Sequence, residues 1–117
     1  MGLSTHVLDT MNGCPAAGMA GALYRMQGET PVLAHSFELD RDGRTPDGPL
    51  FRDGELARGR YRLVFDVAGY FMKKGAVLPD PPFLERVTLD FGVADEAQHY
   101  HVPLLVSPWS YSTYRGS

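Results

Sequence analysis

Histidines 6, 35, 99 and 101 carry most of the neutral-pH acid–base chemistry open to this chain. His99 and His101 are separated by one residue, so on a strand both rings project to the same face. That spacing fits a short His-x-His metal clamp. It fits equally a polar face on which an imidazole carries protons near neutral pH. As a zinc motif it is incomplete: no third ligand stands at a telling spacing, and the single cysteine, Cys14, belongs to no metal pattern. His6 lies near the start, in a segment that reads as a strand. It is either a satisfied surface or interface residue or a partner in proton transfer. His35 has hydrophobic neighbours and reads as structural or solvent-exposed. Arg44 follows Asp42-Gly43 at the exit of a tight charged turn. It is either a solvated turn arginine or a planar donor fork for an anionic or carbonyl-rich substrate. The acidic residues of that turn resemble part of a calcium loop, but the ligand spacing and closing glutamate are absent. The final Tyr114-Arg115-Gly116-Ser117 ends on a hydroxyl beside the chain carboxylate. There is no G-x-S-x-G elbow, and a serine at a free terminus is poorly held for covalent work, so binding is its reading.

The elements that must position these residues are short. Residues 3–8, LSTHVL, alternate as a strand, with Leu3, Thr5 and Val7 on one face and Ser4, His6 and Leu8 on the other. Residues 9–17 contain Asn12-Gly13 and Pro15 and read as a turn region. Strands follow at 19–26 and 31–39, joined by a hairpin turn at Gln27-Gly28-Glu29. Residues 45–59 are rich in Gly, Pro and Asp and read as loop, with Leu50, Phe51 and Leu56 as candidate anchors. Residues 60–67 are a strand whose Tyr61, Leu63, Phe65 and Val67 share a face. Residues 69–75 can make one or two helical turns ending at Gly75. Further strands are expected at 84–91, 96–106 and 109–114. Strands do not alternate with helices, so no parallel sheet is expected, and the count points to an all-β antiparallel sandwich.

Length and composition are consistent with this. The 117 residues fit one domain, 1–117, with 44% hydrophobic and 21% charged residues, a globular balance. A net charge of −3 gives no electrostatic footprint for nucleic acid. No apolar run approaches the roughly 20 residues of a membrane helix. The opening residues lack the basic and apolar regions of a signal peptide, and His6 breaks the myristoylation pattern that Gly2 would begin. With one cysteine and no export signal, a reducing cytoplasm is expected. The last residues are not a peroxisomal signal of the Ser-Lys-Leu type.

Four stretches carry a family likeness: LSTHVLDTMNGCPA at 3–16, DRDGR at 40–44, YRLVFDVAGYF at 61–71, and HYHVPLLVSPWSYSTYRGS at 99–117. Together and in this order they resemble the transthyretin-related 5-hydroxyisourate hydrolases of urate degradation. The closing block is the specific one. The resemblance implies a transthyretin-like β-sandwich of two four-stranded sheets with one short helix, which agrees with the independent strand count. It implies a homotetramer, a dimer of dimers built through edge strands. The active sites of such a tetramer face a central channel lined by the strand 109–114. It implies His6, Arg44 and His101 as catalytic residues and Tyr114, Arg115 and Ser117 as substrate-binding ones, with His99 part of the common HYH pattern. No cofactor and no metal are implied, nor any nucleic-acid or membrane partner. Where many members have Thr-Gly-Asp or Thr-Gly-Glu this chain has Val67-Ala68-Gly69, and Trp109 stands where tyrosine is usual. Neither departure touches the catalytic positions. Against a thyroid-hormone carrier, the histidines and Arg44 make the expected channel polar.

Overall fold

The computed structural model describes residues 2–116. Leu3–Asp9 forms β1, and its burial alternates residue by residue, with Leu3, Thr5 and Val7 inside as the pattern expects. The turn region contains a two-residue strand, β2 (Cys14–Pro15), paired with the end of β1. β3 (Ala20–Gln27) and β4 (Thr30–Glu38) make a hairpin with a register shift at Leu23/Tyr24. β5 (Gly59–Asp66) leads into the helix α1 (Val67–Lys73). β6 (Arg86–Val93), β7 (Tyr100–Val106) and β8 (Tyr111–Thr113) follow. Two four-stranded sheets result, ordered β2-β1-β7-β8 and β4-β3-β5-β6. Their inner faces meet over a core that includes Leu3, Val7, Leu23, Leu63, Phe65 and Leu104, all without exposed surface. The loop anchors Leu50, Phe51 and Leu56 are buried in the same core.

The sandwich is mostly, not wholly, antiparallel. β1 and β7 run parallel, Leu3 against Tyr100 through Asp9 against Val106. A parallel pair needs a long crossover. Here the whole second sheet supplies it, so no strand–helix–strand unit marks it locally.

Boundaries moved where side chains or turns claimed the backbone. The helix takes Val67, expected in the strand before it. The Asp66 side chain accepts from Gly69 N–H at 3.1 Å, starting the helix there. It ends on paired bonds, Ala76 N–H to Phe71 O and Gly75 N–H to Met72 O, both 3.0 Å. The Glu85 carbonyl accepts from Val67 and Ala68 N–H, which keeps Leu84 and Glu85 out of β6. Residues 96–99 are turn rather than strand: Gln98 N–H bonds back to Asp95 O, and Tyr100 Oη accepts from Ala94 and Asp95 N–H. Trp109 and Ser110 lie in a turn closed by Ser107, leaving β8 three residues long. Trp109 stacks on Phe83, both largely exposed. No helix among the described residues is long and apolar enough to cross a membrane.

Candidate functional site

The outward face of the β1–β7 pair gathers the histidines. In the parallel register Ser4 lies beside His101 and His6 beside Pro103. His6 and His101 are therefore on one face, two residues apart along the ladder. The loop after β4 runs along the other side of β1. Phe51 pairs with Leu3, Arg44 pairs with His6, and Val7 N–H reaches Gly43 O at 2.9 Å. Directly paired residues put side chains on the same face, so Arg44 is the cross-strand neighbour of His6. Beyond β7, Gly116 pairs with His101, its N–H 2.7 Å from the His101 carbonyl. Two rows cross the sheet: Arg44, His6, Pro103 and, one step along, Ser4, His101, Gly116.

Local chemistry sets each position. Asp40 builds the turn that presents Arg44: its carboxylate accepts from Asp42 and Arg44 N–H, and its backbone bonds to Gly43 and Arg44. Gly43 has φ 73°, and a Cβ there would lie 2.4 Å from Val7 O, so only glycine lets the turn lie against β1. His101 is half-buried, with Nδ1 2.8 Å from Ser4 Oγ. Burial lowers the His101 pKa below the ordinary histidine value, and the electrostatic influence of Arg44, His6 and His99 lowers it further. The shift favours the neutral ring.

His99 and His101 do project to one side, but Ser4 Oγ stands between them, 3.3 Å from His99 Nε2. His99 Nδ1 accepts from Gly2 N–H at 3.1 Å. Both nitrogens of His99 thus have protein partners, which leaves no lone pair for the clamp reading. No group of three His, Cys, Asp or Glu able to hold a metal occurs among the described residues. His35 is exposed and packs edge-on against Phe51, away from this cluster in sequence and sheet.

The closing tetrapeptide divides. Arg115 lies over the Tyr100 ring, 4.0 Å to the centroid, and donates to Gln98 Oε1 and His99 O, so its guanidinium ties the tail to the start of β7. Tyr114 is exposed and, with His99, His101, Arg115 and Gly116, lines an open recess of ≈ 900 Å³. Ser117 lies outside the described residues. Ser4 and Gly2 were not singled out as site residues in the sequence: a serine on a strand has no spacing signature, and Gly2 was weighed only as an acylation site. The one sequence signal for Ser4 was the face it shares with His6. A second hollow, of ≈ 550 Å³, lies on the other sheet between Met26, Arg60, Arg62 and Asp90 and holds no histidine.

The arrangement offers two imidazoles and a guanidinium on one face, a set suited to moving a proton and holding an oxyanion. Comparison with known proteins shows what the chain is similar to. The 5-hydroxyisourate hydrolase of Deinococcus radiodurans is 55% identical over 117 residues, covering 99% of this chain and 96% of that protein. The structure of Klebsiella pneumoniae 5-hydroxyisourate hydrolase matches with a TM-score of 0.80 at 32% identity, over 99% of this chain and 98% of that one. The crystal structure of an (S)-allantoin synthase matches with a TM-score of 0.92 at 46% identity over 99% of this chain. This chain spans only 43% of that longer one. The family model described as HIUase/Transthyretin matches residues 3–116, and the chain belongs to that family.

Proposed function

We propose that this protein, as a single domain over residues 1–117, hydrolyses 5-hydroxyisourate to 2-oxo-4-hydroxy-4-carboxy-5-ureidoimidazoline in urate degradation. The observation that carries the reading is the shared face of His6, Arg44 and His101. The names of the similar hydrolases support the substrate. Water attacks the ring amide carbonyl. One of His6 and His101 takes the water proton, and the other tunes it or delivers a proton to the departing ring nitrogen. Arg44 stabilises the charge on the tetrahedral oxygen. Hydrolysis transfers no electrons, so the reading calls for no redox cofactor. Tyr114 forms part of the pocket wall, Arg115 holds the tail, and Ser117 binds substrate, a role that leans on its neighbour Gly116 meeting His101. The active unit is a cytoplasmic homotetramer, a dimer of dimers joined through edge strands, with the sites facing a central channel.

The test is the decay of freshly generated 5-hydroxyisourate, followed by ultraviolet absorbance after urate oxidase makes it in situ. The protein is expected to accelerate the decay. H6A, R44A and H101A are each expected to lose at least about a hundredfold in kcat/KM, near 3 kcal/mol, with melting temperature retained. Decay at the spontaneous rate, from a protein verified as folded and tetrameric, would move the reading to carriage of a small ligand in the channel.

A further inference from the structure

A row of hydrogen-bonded groups, from Gly2 through His99 and Ser4, determines which nitrogen of His101 carries its proton. The Gly2 backbone N–H can only donate, and it points at His99 Nδ1 at 3.1 Å. A ring nitrogen that accepts is bare, so the proton of neutral His99 is on Nε2. That N–H lies 3.3 Å from Ser4 Oγ. Ser4 Oγ accepts there, and its single hydroxyl hydrogen then needs an acceptor. His101 Nδ1, 2.8 Å away, is its other described partner. His101 Nδ1 is therefore bare as well, and the His101 proton is on Nε2. The Ser4 contact orients the ring. Its Nδ1 edge is held by Ser4, and its Cδ2 edge lies against Gly116, where a Cβ would come within 2.8 Å. The vertex left facing outward is Nε2–H.

We infer that Gly2, His99 and Ser4 form a one-way hydrogen-bond relay that presents His101 to substrate as a donor through Nε2, leaving His6 as the group that takes the proton from water. This rests on the hydrolase reading and resolves which histidine is the base. Water loses its proton to His6, the carbon–oxygen bond forms, and the carbonyl electrons move onto oxygen. Arg44 and His101 Nε2–H donate hydrogen bonds to that oxygen. As the carbon–nitrogen bond breaks, His6 returns its proton to the departing nitrogen. His101 keeps its proton throughout, because a relay with no proton source at its far end cannot replace one. Ser4 and His99 are positioning residues. The lowered pKa of His101 fits the assignment, since an imidazolium would have no bare Nδ1 for Ser4. Among the described residues, the charged or titratable groups around it are Arg44, His6 and His99, with Tyr114 and Arg115 lining the same recess.

Long-range ¹H–¹⁵N correlation spectra of the free protein read the tautomer directly. His101 is expected to show a protonated Nε2 and a bare Nδ1 at pH 8. S4A is expected to raise the His101 titration midpoint by about one pH unit, because the bond that favours the neutral ring is gone, while S4T retains the wild-type midpoint. A protonated Nδ1, or a midpoint unmoved in S4A, would overturn the relay. In the assay, H101Q supplies an amide N–H but cannot act as a base. It is expected to retain about tenfold more kcat/KM than H101A and to keep the acid limb of the pH–rate profile, whereas H6Q is as impaired as H6A. An H101Q enzyme no better than H101A would overturn the donor role. The spectra need no substrate, so a protein with no catalysed decay would count against the hydrolase reading and leave the relay to be decided by them.

Discussion

A methyl group at position 116 would lie 2.8 Å from His101 Cδ2 and 3.3 Å from its Cβ. Real side chains do not approach that closely, so G116A must displace either the tail or the imidazole. Misplacement of a reacting group by about an ångström costs on the order of a hundredfold. G116A is expected to lose that much in kcat with its melting temperature nearly unchanged, measured by steady-state kinetics beside thermal unfolding. At this scale the sequence showed part of the site. His6 on the outward face of its strand, and His99 with His101 on one side, followed from alternation alone. That Arg44 stands beside His6 did not, because the pairing crosses a loop; only the family likeness brought the two together. Ser4 stayed hidden because what distinguishes it is the pair of rings it touches, and both lie more than ninety residues away.

Between elements, the end of β1 is fastened to the helix by one carboxylate. Asp9 is almost wholly buried. It accepts from Tyr70 Oη at 2.8 Å, from Asn12 N–H at 2.9 Å and from Asn12 Nδ2 at 2.7 Å. Burial alone would raise its pKa, but the bonds from Asn12 and Tyr70 outweigh it, and the net shift is downward. Burial and the neighbouring Asp9 push the Tyr70 phenol well above its ordinary value. Because the folded Asp9 holds its proton less tightly than the unfolded one, its stabilisation is complete above the ordinary aspartate value and disappears as pH falls through the lowered one. Y70F removes a hydrogen bond to a charged acceptor. It is expected to cost about 2 kcal/mol at pH 7 and to flatten the acid side of the stability curve, as read by denaturant titration between pH 3 and 7. The strands themselves were legible because one-sided burial imposes period two. Their ends were less so: the Asp66 cap, the Glu85 carbonyl and the Asp95 turn are single contacts that no periodicity announces.

For the whole molecule, the two sheets end on the same side in β6 and β8. Between these edges runs a mainly apolar groove of ≈ 400 Å³ that includes Leu89, Phe91, Val102 and Tyr111. Open edges and an apolar seam are what a further protomer would cover, in keeping with the proposed tetramer. Sedimentation equilibrium is expected to give four chains per particle. Deleting residues 114–117 removes Arg115 from the Tyr100 ring and Gly116 from His101, so activity is expected to fall at least about a hundredfold in the ultraviolet decay assay. The class of fold was legible from the strand count. The pairing of first strand with seventh was not, because contacts between residues 97 apart leave no mark on either segment.

That pairing also sets an order in time. β1 leaves the ribosome long before its partner β7, whose paired residues lie 97 positions further on. Thr5 Oγ1 cannot find Val102 O, nor Ser4 find His101, until β7 has been made. Closing so long a loop is slow, since its entropy is lost before any contact repays it. The second sheet, whose strands pair with near neighbours in sequence, has everything it needs earlier. His6 and Arg44 thus wait, already synthesised, for the strand that carries His101.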